Sequence, residues 1–209
     1  INQLSNEVSS KVSRTEFENL QIGGRNLIKD SNNFTNYTKY GGATVTFTTG
    51  VSVPEWDATD ATRIQTSGGT SQIKLTKDVV TPSVAGQQYT VSVWVKNIGN
   101  YPVVVSNNLS GTSIVNPGES KRVIITSKGN GTSHLQVQFR TTTGNENNPL
   151  DFIAWRAKAE LGNRATDWTP AIEDVEAYAE QKAQEAFDAV EVGGRNLHEN
   201  TSREFRNVT

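Results

Sequence analysis

The sequence predicts an all-β fold, a β-sandwich or jelly roll, and three observations support that prediction. Between residues 23 and 170, short runs rich in β-branched and aromatic residues recur, most clearly at 88–96, where side chains alternate with period two. Clusters of Gly, Asn, Pro and Ser separate the runs, and no helical pattern interrupts them. The predicted strands are 43–49, 61–66, 72–80, 88–96, 101–106, 121–126, 133–140 and 151–161.

Composition narrows the classes of function. The formal net charge is -2 and the pI is near 5.8, so the chain lacks the excess of Lys and Arg that binds nucleic acid. There is no cysteine, which excludes a disulfide framework and a thiolate metal site. No apolar run approaches the roughly 18 to 20 residues that span a bilayer, and we therefore expect no membrane insertion.

A five-residue motif, GGRNL, occurs at 23–27 and again at 193–197. The residues before the two copies also match, since Phe17 aligns with Phe187 and Leu20 with Val190. Repetition over so long a period predicts a modular array, of which this chain would be a segment. We expect a linker helix or coiled coil at 1–22, a sandwich module at 23–170, a linker helix at 171–192 and the start of a second module at 193–209.

The segments that flank the module have narrow apolar seams. Ile1, Leu4, Val8 and Val12 are three or four residues apart, and residues 172–190 are rich in the helix formers Ala, Glu, Lys and Gln. A seam this thin fits a short coiled coil between chains, with a frayed linker helix as the alternative.

Alternation also divides each strand into an inner and an outer face. In strand 88–96 the predicted outer residues are Thr90, Ser92, Trp94 and Lys96. In strand 133–140 they are Gln136, Gln138 and Arg140. In strand 151–161 they are Arg156, Lys158 and Glu160, and the predicted inner residues are Ile153, Trp155, Ala157, Ala159 and Leu161. Trp168 is expected to pack over one end of the sandwich.

Three stretches carry a resemblance to a known family: GGRNL, EWDATDATRI at 55–64 and AELGNRATDWTP at 159–170. With them the chain resembles the carbohydrate-binding-module-like domains in tail-tip and baseplate proteins of phages that infect Gram-positive bacteria, streptococcal and lactococcal ones especially. The positions that match the family's first and last motifs look structural. They are Gly23, Gly24, Arg25, Asn26, Leu27, Glu160, Gly162 and Trp168.

The resemblance implies a jelly-roll β-sandwich with helical or coiled-coil linkers, located in the virion at the phage tail tip or baseplate. It implies extracellular action in host adhesion, with host cell-wall polysaccharide and other tail proteins as partners. Because phage tail tips commonly have three-fold symmetry, it also implies a homotrimer formed through the linker helices.

A sandwich binds a sugar with a flat aromatic ring for the pyranose face and polar side chains for the hydroxyls. Trp94 provides the ring, and the polar candidates, on strands that could neighbour it, are Lys96, Gln136, Gln138 and Arg140. The alternative is an ordinary solvated sheet face with Trp94 covered by a loop. Tyr37 and Tyr40, in a stretch rich in Asn, Thr and Gly, offer a third possibility, a site formed by a loop.

Catalysis has weaker support in the sequence. Glycoside hydrolysis needs two carboxyls facing each other across the bond, and nothing pairs any two of Glu55, Asp57, Asp60, Asp151, Glu160 and Asp167. We expect no cofactor, although a structural calcium ion near Glu160 or Asp151 is conceivable. The leading hypothesis is non-catalytic binding of host-surface saccharide, followed by a structural spacer without ligand, and then by a saccharide-degrading enzyme.

Overall fold

The structure is a computed structural model that describes residues 23–189. It forms two units, divided after Asp174. The predicted linker at 1–22 and second module at 193–209 lie outside the described residues. The strands are β1 (Thr38–Tyr40), β2 (Val45–Val53), β3 (Ala58–Thr66), β4 (Lys74–Val80), β5 (Gln88–Asn97), β6 (Val103–Ser106), β7 (Thr112–Val115), β8 (Ser120–Lys128), β9 (Leu135–Arg140) and β10 (Asp151–Leu161).

The strands form two five-stranded antiparallel sheets. The first sheet has the order β1-β4-β9-β6-β7 and the second β2-β3-β10-β5-β8. From β3 to β10 the pairs are nested, because β6 pairs with β7, β5 with β8, β4 with β9 and β3 with β10. Such nesting is a long hairpin rolled across two sheets, which is the jelly roll. The predicted fold class is therefore confirmed.

The main core lies between the two sheets and follows the predicted alternation in β5 and β9. Tyr89, Val91, Val93 and Val95 are buried in it, opposite Leu135, Val137 and Phe139 of the first sheet. The apolar side chains of each strand therefore point toward the other sheet, and the intervening residues point away from the core. Each sheet consequently has an outer face, and the two outer faces are the surfaces on which a site could form.

A bulge in β10 changes the face assignment that alternation predicts there. The pairing of β10 with β5 shifts between Trp155 and Lys158, and Arg156 has a φ of 52°. Before the bulge Phe152 and Ala154 face the core, and after it Ala157 and Ala159 do. The prediction that all the odd-numbered residues face inward is therefore wrong, because the extra residue reverses the alternation.

Trp155 is fully buried, as predicted, but it lies on the outer face of the second sheet. There it belongs to a second apolar cluster with Val53, Ala58, Ala61 and Ile153. Leu161, predicted to be in the core, is exposed at the end of β10. Conversely, Thr90, Ser92, Lys158 and Glu160 are buried although they face outward, because other parts of the chain cover them.

The two ends of the first unit are fastened side by side. Gly23 lies so close to β10 that a Cβ atom there would be 2.0 Å from the carbonyl oxygen of Leu161. The buried amide of Asn26 donates to the carbonyl oxygens of Ala157 and Thr169, at 3.2 and 2.9 Å, and its oxygen accepts from the backbone of Ala159 at 3.2 Å. GGRNL at 23–27 therefore has a structural role: it joins the start of the sandwich to β10 and to Thr169.

One α-helix follows the first unit's strands, α1 (Ile172–Ala189), inside the range predicted for a linker. Arg25 forms an ion pair with Glu173 in its first turn. Among the described residues no helix is long and apolar enough to cross a bilayer.

Candidate functional site

The outer face of the first sheet is built from two rows of side chains that cross all five strands. Residues directly opposite each other in antiparallel strands share a face. The first row is Tyr40, Lys74, Arg140, Val104 and Ile114. The second row is Thr38, Thr76, Gln138, Ser106 and Thr112. Polar groups thus occupy the middle of the sheet, and Tyr40 and Ile114 stand exposed at its two edges.

A chain of side-chain hydrogen bonds runs along this face. The hydroxyl of Ser106 donates to Oε1 of Gln138 at 2.7 Å, the amide of Gln138 donates to Gln136, and the amide of Gln136 donates to Asp78. Nδ1 of His134 lies 3.5 Å from the Asp78 carboxylate. Because each amide is oriented by its neighbour, the hydrogen-bonding groups on the face are already ordered.

Ser106 and Gln138, together with Lys74 and Arg140, form the floor of an open groove of about 370 Å³. One wall is the β6–β7 turn, in which Asn107 is buried and its side-chain oxygen accepts from the backbone of Leu109 and Gly111 at 3.1 and 3.2 Å. The residues lining the groove are Gln72, Lys74, Ser106, Asn108, Leu109, Ser110, Gly111, Thr112, Gln138 and Arg140. The groove is therefore concave and largely polar.

On the outer face of the second sheet, Trp94 lies beneath another part of the chain. The 3-10 turn Pro54–Trp56 crosses β5, and the ring centroid of Trp56 is 4.4 Å from that of Trp94. Nε1 of Trp56 donates to the hydroxyl of Ser120 at 2.8 Å, which fixes the turn in place. Trp155 stacks beside Trp94, with centroids 6.0 Å apart and rings 12° from parallel.

Lys96 is engaged by the same turn. Its ammonium forms an ion pair with Glu55, and the hydrogen bond from Lys96 lowers the pKa of that carboxyl. What remains exposed of Trp94 lines a smaller pocket of about 320 Å³ with Arg122, Arg156, Asp167 and Trp168. Both arginines already form hydrogen bonds within the chain. Arg122 donates to the carbonyl of Thr166, and Arg156 donates to that of Asp57 at 3.0 Å.

Residues 162–169 cover another part of this face, over Lys158 and Glu160. Nζ of Lys158 donates to Oγ1 of Thr166 and to the carbonyl of Asp167, each at 2.7 Å. The Glu160 carboxylate accepts from the backbone and hydroxyl of Thr166, at 2.8 and 2.7 Å, and lies 3.8 Å from Lys158. Burial lowers the pKa of Lys158, and the charge of Glu160 opposes that shift. Lys158 and Glu160 therefore hold residues 162–169 against the sheet.

The structure does not bring the five predicted site residues together. Trp94 and Lys96 lie on β5 in the second sheet, whereas Gln136, Gln138 and Arg140 lie on β9 in the first. The neighbours of β5 are β10 and β8, so the expectation that these strands adjoin is wrong. Alternation correctly predicts that the side chains face outward, but both sheets have an outer face.

The two tyrosines of the loop alternative, Tyr37 and Tyr40, also lie in different surroundings. Tyr37 is buried against Phe34 and Phe139, with ring centroids 5.4 and 5.9 Å away, and burial raises the pKa of its hydroxyl. Tyr40 is 54% exposed and lies in β1, next to Lys74. Only Tyr40 is therefore accessible to a ligand.

Sequence reasoning missed Lys74 and the β6–β7 turn as parts of the groove. The sequence does contain a signal for Lys74, because it precedes the inward Leu75 in a predicted strand and so belongs to the outer face. No sequence signal places residues 107–112 beside it, since that contact depends on which strands pair. Among the described residues there is no group of three or more His, Asp and Glu side chains arranged to hold a metal ion.

Comparison with known proteins gives similarity to solved structures alone, because no family profile and no curated protein matches the chain. The chain is similar to the CBM22-1 xylan-binding domain of Paenibacillus barcinonensis Xyn10C, at 14% identity and a TM-score of 0.49, over 69% of this chain and 99% of that one. It is also similar to the family 11 carbohydrate-binding module of Clostridium thermocellum Lic26A-Cel5E, at 13% identity and a TM-score of 0.45, over 70% and 99%. The enzymatically active domain of bacteriophage CBA120 tailspike protein 4 matches at 13% identity and a TM-score of 0.48, over 65% of this chain and 21% of that one.

Proposed function

We propose that the chain is a non-catalytic saccharide-binding module and that its site is the groove on the outer face of the first sheet. The observation that carries the proposal is the hydrogen-bonded series Ser106, Gln138, Gln136 and Asp78, which lines and extends an open groove beside the exposed ring of Tyr40. Amides and hydroxyls match the donors and acceptors of sugar hydroxyls, and an aromatic ring matches the apolar face of a pyranose. Side chains that are already ordered lose little entropy on binding.

The chemistry of the groove favours binding over cleavage. Its ten lining residues include no carboxylate, whereas glycoside hydrolysis requires a pair of carboxyls on either side of the scissile bond. Asp78 is a single carboxylate at the end of the hydrogen-bonded series, where it accepts a hydrogen bond from Gln136. We therefore assign the groove to recognition.

The biological role that we propose is host adhesion by a phage tail-tip or baseplate protein, with host cell-wall polysaccharide as the ligand. The support is the resemblance carried by GGRNL and by residues 55–64 and 159–170. In this role the module would act outside the host cell, as part of the virion, in contact with other tail proteins.

The same proposal includes self-association through the flanking helices, as a homotrimer. Along α1, Ile172, Val175, Ala179 and Ala186 recur at intervals of three, four and seven residues on one side of the helix, and all four are exposed. An apolar stripe of this kind is typical of a helix that packs against copies of itself. Light scattering on the 209-residue chain at tens of micromolar is expected to give three times the chain mass, and a monomer would contradict the trimer.

A structural spacer remains the second candidate, and the fastening of the module's two ends favours it. Asn26 joins the start of the module to β10 and to Thr169, and Arg25 joins it to Glu173. A domain whose two ends are joined in this way can act as a rigid spacer in an array whether or not it binds a sugar.

An array of cell-wall glycans from Gram-positive bacteria separates the two candidates. The 209-residue chain is expected to bind a defined subset of glycans, and Gln138→Leu to weaken that binding at least tenfold, because the central hydrogen-bonding side chain of the groove is lost. Lys96→Gln, on the opposite face, is the control and should bind like the parent chain. Circular dichroism verifies that each variant is folded. If the parent chain binds no glycan, the spacer is the better account.

A further inference from the structure

Two cations stand side by side on the floor of the groove. Lys74 in β4 is directly opposite Arg140 in β9, an arrangement that brings Cβ atoms to within about 4.5 to 5.5 Å. None of the ten lining residues is acidic. Within residues 23–189, no hydrogen bond or ion pair joins the side chain of either residue to another group.

Several cations elsewhere in the first unit are paired with carboxylates. Arg63 donates two hydrogen bonds to Asp151, at 2.9 and 2.7 Å, and Lys121 lies 2.7 Å from Glu119. The buried Lys158 lies 3.8 Å from Glu160. The groove differs from these sites, because its two adjacent cations have no carboxylate beside them and their mutual repulsion opposes folding.

We propose that the groove binds an acidic saccharide and that Lys74 and Arg140 together hold its anionic group, a carboxylate or a phosphate. The inference rests on the proposed function, and it specifies the class of ligand. An anion between the two cations would remove their repulsion. The planar guanidinium of Arg140 can form two parallel hydrogen bonds to either kind of group, and the ammonium of Lys74 adds a second positive charge.

The charges also give the ligand a direction. Asp78 lies on the same face of β4, four residues from Lys74, which is about 14 Å along a strand. The ends of the face are thus positive at Lys74 and Arg140 and negative at Asp78, with neutral amides between them. The anionic group is directed to the positive end, and the uncharged hydroxyls of the following sugar lie toward Gln136 and Asp78.

The test uses an array of neutral, uronate-containing and phosphodiester-containing oligosaccharides. The parent chain is compared with the double variant Lys74→Gln/Arg140→Gln. The control is Lys128→Gln/Arg164→Gln, which makes the same change in net charge at exposed residues outside the groove. We expect acidic glycans alone to be bound, with at least a tenfold higher Kd in the groove variant, no change in the control, and weaker binding as salt is added.

Each outcome decides a separate point. Binding of uronates or of phosphodiesters supports the inference and identifies the anionic group. Equal binding of neutral glycans, or of acidic glycans by the groove variant, overturns the inference and leaves the proposed function standing. If the parent chain binds no glycan of any class, the proposed function fails and the inference fails with it. Circular dichroism and the denaturation midpoint of each variant exclude unfolding as the cause of a loss.

Discussion

The two outer faces of the sandwich differ in what covers them. On the second sheet, the 3-10 turn Pro54–Trp56 lies over Trp94, and residues 162–169 lie over Lys158 and Glu160. On the first sheet, Lys74, Gln138 and Arg140 line a groove that no other segment of the described chain fills. An outward aromatic or charged residue is therefore evidence for a ligand only on a face that the chain itself leaves uncovered.

The largest loss of stability is expected at the buried pair Lys158 and Glu160 of the second sheet. Glu160→Ala is expected to lower the free energy of unfolding by about 3 to 5 kcal/mol, because it leaves the buried Lys158 charge without its partner and frees Thr166. Urea denaturation measures the change. The matched control is Asp78→Ala on the first sheet, an exposed carboxylate whose loss should stay within about 0.5 kcal/mol. Equal losses in the two variants would show that the faces do not differ in this way.

Trp94→Ala is expected to have the next largest effect. The ring is packed between Trp56 and Trp155, so its removal opens a cavity and should lower stability by about 2 to 3 kcal/mol, somewhat less than for a fully buried tryptophan. Saccharide affinity, measured well below the melting temperature, should be unchanged. A normal melting temperature together with lost binding would return the site to Trp94.

Tyr40→Ala is expected to weaken binding and to leave stability almost unchanged, and its effect should be the smallest of the three. Because the ring is 54% exposed, stability is expected to change by less than about 0.5 kcal/mol. Saccharide binding should weaken by about 1 kcal/mol, or roughly fivefold in Kd, through the loss of a stacking surface. Isothermal titration calorimetry with an array-selected glycan measures it, with Tyr40→Phe as a variant that retains the ring. If Phe and Ala weaken binding equally, stacking is not the contribution of Tyr40.

Much of the fold could be predicted from local pattern. Alternation placed the inner residues of β5 and β9 correctly, since a jelly-roll strand with one face in the core has to alternate. It missed β1 and β7, which have only three and four residues and no periodicity to detect. It also failed across the bulge at Arg156, because one extra residue reverses the assignment of every later side chain without a signature in the sequence.

The site was less predictable for a different physical reason. Outward orientation is a local property of a strand, whereas the meeting of two outward residues depends on which strands pair. Gln138 and Trp94 have the same local signal but lie in different sheets. Lys74 and Arg140 meet through the pairing of β4 with β9, two strands that are more than fifty residues apart in sequence.

The central claim is that saccharide binds to the first sheet, and amide chemical-shift mapping by NMR tests it most directly. The 209-residue chain would be titrated with the glycan that gives the strongest array signal. The expected result is a set of shifts concentrated in β4, β6 and β9, at Lys74, Ser106, Gln138 and Arg140, with little change in β5. Shifts concentrated instead around Trp94, Arg122 and Arg156 would contradict the account and place the ligand on the second sheet.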